Sequence, residues 1–350
     1  MVPSKTIILL TIYEREDGSS NEVLGTFLCN HSLQHKTIFG ILILLLVAAC
    51  RTTHSADGGG EDVVVAADSL SAPQRELVRH FTTSFNPARI SSREEYVAAI
   101  ASYWDEFPFD ADTLLSRYDT LSLVMGFADY VAFIEPQSAD SLLRALIHRA
   151  EASRAALDLF AEVSGLVLHD PNSPLRNDEY YIPILETLVS SPLYDEYDRV
   201  AYEFDLDVAR KNRVGELAND FTYTLVDGSR HRMHDIEAEY LLIFFSNPGC
   251  PMCRELTAAI LSSPMLNELC EMGRMRVLSL YPDGDVVAWR DYLRNMPSSW
   301  INGYDAELRI TSQRLYDLRA IPSLYLLDSE KRVLIKDGFD VAAVEYCVSQ

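Results

Sequence analysis

The chain has 350 residues, 48% of them hydrophobic and 23% charged, which is enough apolar material for about two cores and too much for a disordered chain. Thirty lysines and arginines against 52 aspartates and glutamates leave a net charge of −22. Such a field repels nucleic acid and anionic lipid head groups, so no nucleic-acid partner is expected and any membrane attachment must be hydrophobic or covalent.

Near the start, residues 38–49 form an apolar run preceded by Lys36 and closed by Val47-Ala48-Ala49-Cys50. The run is short of the ~20 residues that span a bilayer but suits the apolar segment of a signal peptide. Small residues ahead of a cysteine resemble a bacterial lipobox, which implies cleavage before Cys50 and lipidation of Cys50 as the first mature residue. Glu14, Glu16, Asp17 and Glu22 stand where such a signal should be short and basic. Residues 1–35 therefore read as an upstream extension, with translation beginning near Leu33 and Cys29 absent from the mature chain. Residues 51–73 contain Gly58-Gly59-Gly60 and few large apolar side chains, a flexible tether that holds the folded part roughly 25 Å from a lipid surface.

From residue 74 to about 210 the pattern is helical. Ser92-Arg93-Glu94-Glu95 is a capping box opening a helix through Trp104. Leu142, Leu143, Leu146, Ile147, Ala150, Leu157 and Phe160 keep to one helical face as a single long stripe. A further helix follows Tyr180, and another runs near Tyr197 to Val208. His148 and His169 are isolated, so each reads as a satisfied structural histidine rather than a ligand. The loop Asp170-Pro171-Asn172-Ser173-Pro174-Leu175-Arg176-Asn177, the following Tyr181-Ile182-Pro183, and Lys211-Asn212-Arg213-Val214-Gly215 resemble a helical domain of unknown function that precedes thioredoxin-like domains in bacterial lipoproteins. The loop suits binding or the punctuation of two helices equally well.

After Gly215 the period changes to two. Phe221, Tyr223 and Leu225 alternate toward an Asp227-Gly228 hairpin turn. Residues 240–245 are wholly apolar, as expected of a central strand buried on both faces. They lead through Asn247-Pro248-Gly249 to Cys250-Pro251-Met252-Cys253 and a helix over 254–261. A strand over 277–281, a helix with Trp289 and Leu293, a helix around 308–318, Ala320-Ile321-Pro322, strands over 323–327 and 332–336 and a terminal helix from Val341 complete the order.

Cys250-Pro251-Met252-Cys253 between a buried strand and a helix is the chemical centre. A helix N-terminus presents unpaired N–H groups and partial positive charge, which favours the thiolate at Cys250 and makes it the expected nucleophile. Pro251 fits the first helical position, and Cys253 is near enough to close a disulfide or resolve a mixed one. A lone pair of this spacing is also half of a zinc site, but no second pair accompanies it, so redox chemistry is the better reading and no metal or other cofactor is expected. His231 and His234 flank Arg232-Met233 on the hairpin and read as surface residues. Cys270 and Cys347 read as buried free thiols, with a second disulfide allowed in an oxidising compartment.

This order of elements resembles the thioredoxin superfamily, and within it the TlpA-like thiol-disulfide oxidoreductases of the cell envelope, over residues 215–350. The resemblance implies a multidomain α+β chain: residues 1–49 extension and signal, 50–73 lipidated cysteine and tether, 74–214 an all-α domain, and 215–350 an α/β thioredoxin fold with a central mixed sheet flanked by helices. It further implies that Pro322 is cis and faces Cys250 and Cys253, that the backbone of Ile321 pairs with substrate, and that Pro251 and Met252 contact substrate. Two positions depart from the pattern: Gly249 replaces the usual tryptophan, and Phe244 replaces the usual buried acid. Proton transfer at Cys253 is thus left to Glu255 or water.

The expected activity is exchange or reduction of disulfides in extracytoplasmic client proteins, with an upstream envelope thiol reductant as second partner. The expected location is the bacterial envelope, held by a lipid anchor, facing the periplasm, on the outer membrane. Two alternatives stay open. Pro248-Gly249-Cys250 resembles a peroxidatic loop, although Asn247 stands where a hydroxyl residue is expected. The chain could also be a non-catalytic binding lipoprotein whose cysteine pair is a structural bridge.

Overall fold

The structure, a computed structural model, describes residues 90–110 and 120–350. Cys29, the apolar run, Cys50 and the tether lie outside the described residues. Among those described, no helix is long and apolar enough to cross a membrane.

Among the described residues six helices come first: α1 (Arg93–Ala101), α2 (Thr120–Phe133), α3 (Pro136–Ala150), α4 (Arg154–Leu168), α5 (Asp178–Ser190) and α6 (Glu196–Ala209). Their starts are set by side chains that accept from otherwise unpaired N–H groups. Ser92 accepts from the N–H of Glu95 at 3.1 Å, whereas the Glu95 carboxylate turns back to the N–H of Ser91 at 2.8 Å. That helix stops at Ala101, short of Trp104. The stripe from Leu142 to Phe160 belongs to two helices rather than one, because Ser153 caps α4 by accepting from Ala156 N–H at 3.1 Å. Phe127, Leu143, Ile147, Phe160 and Leu185 lie at the centre of a core made wholly by this helical region.

The rest of the chain forms a seven-stranded mixed sheet from β1 (Thr222–Thr224), β2 (Arg230–Arg232), β3 (Tyr240–Phe245), β4 (Met275–Tyr281), β5 (Ile301–Tyr304), β6 (Ser323–Leu327) and β7 (Val333–Gly338), in the order β2-β1-β5-β4-β3-β6-β7. β3 runs parallel to β4 and β4 to β5, and the other pairs are antiparallel. β3 is buried on both faces as its composition requires. Leu242 and Phe244 meet α7 (Pro251–Ser262), α8 (Pro264–Glu271) and α11 (Val341–Val348) on one side, while Leu241, Ile243 and Phe245 join Tyr316 and Tyr325 on the other. α9 (Val286–Tyr292) precedes β5. The helix expected over 308–318 is only one turn, α10 (Arg309–Ser312), since Leu308 and Arg314 adopt left-handed φ values of 53° and 50° that a continuing helix forbids.

The chain leaving α6 runs along the start of β7: Gly215 N–H donates to Val333 O at 2.8 Å, Val333 N–H to Glu216 O at 2.9 Å, and Ala218 N–H to Lys331 O at 2.9 Å. The opposite edge, β2, carries exposed Arg230, His231 and Arg232. Charged groups tie the helices to the sheet. Lys336 Nζ lies 2.7 Å from the Asp178 carboxylate and donates to Ala209 O at 2.7 Å. Arg176 pairs with Asp337 at 3.1 Å, and Asn212 Nδ2 donates to Leu315 O at 2.7 Å.

Candidate active site

β3 delivers the chain to the end of the sheet, and the turn through Gly249, at φ +77°, sets Cys250 as the cap of α7. A left-handed φ is strained for any residue with a Cβ, which gives a reason for glycine where the resemblance leads one to expect tryptophan. Pro251 occupies the first turn, where its missing N–H removes no helical bond. Cys250 and Cys253 are joined by a disulfide, with Cα atoms 5.3 Å apart. The Cys253 N–H donates to Cys250 Sγ at 3.0 Å, the position in which a capping serine or aspartate oxygen would accept. Cys250 is half-buried, Cys253 is fully buried and Met252 is 58% exposed.

The Ile321-Pro322 bond is cis, and the Ile321 carbonyl oxygen lies 3.8 Å from Cys250 Sγ. The structure thus brings together Cys250, Cys253, Ile321 and Pro322, with Pro251 and Met252 exposed on the first turn of α7. Glu255 is exposed, while Cys253 lies inside the apolar core, which leaves Glu255 poorly placed as its proton acceptor. Phe244, also in that core, supplies none.

Three features were not apparent in the sequence. The Tyr292 hydroxyl lies against Ser246, at the exit of β3, and Thr257, one turn beyond Cys253; burial is the largest influence on it and raises its pKa, while these two hydroxyls lower it. Thr257 Oγ1 in turn donates to Cys253 O at 2.7 Å. Asp337 sits beyond Pro322: Ser323, the next residue, donates its hydroxyl to Asp337 at 2.7 Å. Ser323 pairs with Phe245, so the Asp337 carboxylate meets the sheet face opposite Cys253. Burial, opposed by Arg176 and by the Ser323 hydrogen bond, pushes the Asp337 carboxyl up to about 7. Third, Phe339 is 58% exposed just after Gly338, which pairs with Leu324, and Arg176 lies over its ring at 5.7 Å. Each of these depends on residues far apart in sequence, so local pattern carried no signal for them.

The remaining candidates lie away from the pair. His231 is exposed and stacks on Tyr223, whereas His234 is half-buried with Nε2 2.9 Å from Ala218 O, and so is not a surface residue. Neither Cys270 nor Cys347 is in a disulfide; Cys347 is buried and Cys270 half-buried. His148 pairs with Glu151 at the surface, and His169 faces Asp205 at 3.4 Å.

Known proteins resemble this chain in two parts. Residues 69–212 match a domain of unknown function (DUF5106). Nucleoredoxin from Danio rerio is 29% identical over 104 residues, covering 29% of this chain and 24% of that protein; the Homo sapiens nucleoredoxin is 26% identical over 113 residues, covering 32% and 26%. The chain thus matches about a quarter of the length of these curated relatives. A solved thioredoxin-like protein from Bacteroides caccae is 34% identical, with a TM-score of 0.71, and the alignment covers 76% of this chain and 96% of that one. A likeness of that identity over nearly the whole of a solved relative, together with the mixed sheet and the cysteine pair at the start of α7, makes this chain a member of the thioredoxin-like proteins.

Proposed function

We propose that the protein is an envelope-anchored thiol-disulfide oxidoreductase that reduces or exchanges disulfides in extracytoplasmic client proteins. The observation that carries this reading is the asymmetry of the pair: Cys250 caps α7 half-exposed with the Cys253 N–H donated to its sulfur, and Cys253 is fully buried beneath it. An N–H aimed at Sγ stabilises the thiolate over the thiol, and burial disfavours it.

In the reduced protein the Cys250 thiolate attacks one sulfur of a client disulfide; a mixed disulfide forms, and the client's other sulfur leaves as a thiolate and takes a proton. Cys253 then gives up its proton and attacks Cys250 Sγ, closing the internal disulfide and releasing the second client thiolate. Two electrons pass to the client, and an upstream thiol reductant must return them. The Ile321 carbonyl beside Cys250 offers a backbone acceptor for a client strand. Anchoring rests on the lipobox-like run before Cys50, since two acyl chains hold a protein stably where one is marginal.

The test is trapping. Cys253→Ser leaves Cys250 able to attack with no internal thiol to release the adduct, so client adducts should accumulate and vanish on reduction, while Cys250→Ser should form far fewer. Equal trapping by both variants, or none by either, overturns the assignment and favours a structural bridge.

A further inference from the structure

A cleft of about 490 Å³ opens between α4, α5 and α6 and reaches Arg319 of the sheet domain. Its floor is Tyr181. The residue is only 2% exposed, its hydroxyl lies over Gly165, where a Cβ would stand 3.6 Å away, and its ring tilts against His169 at 4.9 Å. Among the described residues the Tyr181 hydroxyl makes no hydrogen bond and borders the cleft, and the buried Nδ1 of His169 beside it has no partner. A phenol oxygen facing the cleft beside an unpartnered ring nitrogen leaves room for an outside polar group. Burial foremost, and Asp205 next, raise its pKa, so at neutral pH it remains an O–H whose oxygen accepts.

The charge around that floor is predominantly negative. Asp158, Glu162, Asp170 and Asp205 all line the cleft, against the single guanidinium of Arg319. Arg319 is already held by Asp317, whose side chain is 2% exposed, with Nε 2.9 Å from both carboxylate oxygens. Asp158 is engaged by Arg154 and by the Tyr194 hydroxyl at 2.9 Å, and Asp205 by His169. Glu162 is exposed and has no partner among the described residues, and Tyr202 adds an aromatic wall. Unmatched carboxylate, a phenol oxygen and an aromatic ring are the recognition set for an ammonium or guanidinium group.

Position supplies the class of ligand. Arg319 belongs to the cleft and to the loop entering Ile321-Pro322, and its Nη1 donates to His169 O at 2.9 Å. Residues 319 and 321 are separated by at most about 7 Å of backbone, and the Ile321 oxygen lies 3.8 Å from Cys250 Sγ. A polypeptide whose disulfide sits at Cys250 can therefore lay a side chain a few residues away into the cleft.

We infer that this cleft binds a lysine or arginine side chain of the client, so that the preferred substrates are disulfides flanked by basic residues. The inference rests on the oxidoreductase reading, and two readouts separate them.

The first readout is equilibrium binding to the full chain of two peptides with serine at the cysteine positions, one flanked by lysines and one by serines, at fixed ionic strength. The lysine peptide should bind about tenfold more tightly, which is ~1.4 kcal/mol. The double variant Glu162→Gln/Tyr181→Phe should reduce that ratio to about twofold or less and leave the serine peptide unchanged. Glu94→Gln, a charge change on α1 outside the cleft, should keep the ratio. No lysine preference, a preference that survives the double variant, or an equal loss in Glu94→Gln overturns the inference, the last by tracing it to net charge. The second readout is turnover of the corresponding disulfide peptides with dithiothreitol as reductant. Absent turnover alongside retained lysine binding rejects the oxidoreductase reading and leaves the cleft; turnover without lysine binding does the reverse.

Discussion

Replacing Asp337 with asparagine should flatten the pH dependence of stability. The carboxyl is buried, with its side chain 12% exposed, and titrates at about 7 in the folded chain against an ordinary value of 3.8. Burial raises it first; Asp317 and Asp178 add to the rise, and Arg176 and the Ser323 hydroxyl oppose it. Between those two pH values the folded protein holds a proton that the unfolded chain has released. Stability is therefore fully present below pH 3.8 and falls as the pH climbs toward 7. At ~1.4 kcal/mol per pH unit over that window, the loss amounts to at most about 4 kcal/mol. Asparagine keeps an acceptor for Ser323, tolerates the left-handed φ of 49° at this position and cannot titrate. Urea unfolding of both proteins at pH 5, 6, 7 and 8, followed by fluorescence of Trp104 in the helical core and of Trp289 and Trp300 against the sheet, gives the difference directly. Relative to Asp337→Asn, the wild type should lose about 2 kcal/mol or more between pH 5 and 7. A difference that stays constant with pH, or that grows in favour of the wild type, refutes the argument and means Arg176 holds the carboxylate ionised.

Other outcomes follow from packing and sequence. Lys336→Met leaves Asp178 buried without its cation, and should destabilise by about 3 kcal/mol in thermal melts, with much of the loss regained in Lys336→Met/Asp178→Asn. A fragment over residues 74–210 should be helical by circular dichroism with its own unfolding transition, because the helical core shares no residue with the sheet cores; an unfolded fragment would make the ion pairs to β7 indispensable. Cys50→Ser should shift the protein from the membrane fraction to the soluble fraction of cells, and an unchanged distribution would reject the lipid anchor.

The features legible in the sequence were those encoded within a few residues. Ser92 caps its helix, Asp227-Gly228 turns its hairpin, and the cysteine pair falls at the strand-to-helix junction that the apolar run over 240–245 announces. Where apolar residues crowd every face, as in α2, no stripe stands out and the helix goes unread. β5 is four residues long and contains Asn302-Gly303, which resembles a turn; only pairing with β1 and β4 makes it a strand. The segment 308–318 has helical composition, yet two left-handed residues break it. Asp337 lies beyond any local reading, for its cation is Arg176 in the other domain, 161 positions away.

An open sheet invites stray strands to add on at its edges. Here each border of the sheet carries a guard. At β2 the arginines and histidine impose desolvation and repulsion on any incoming strand, and at β7 the chain between the domains already occupies the first backbone positions. The segment that joins the helical region to the sheet therefore also acts as a gasket, sealing the start of that edge against strand addition.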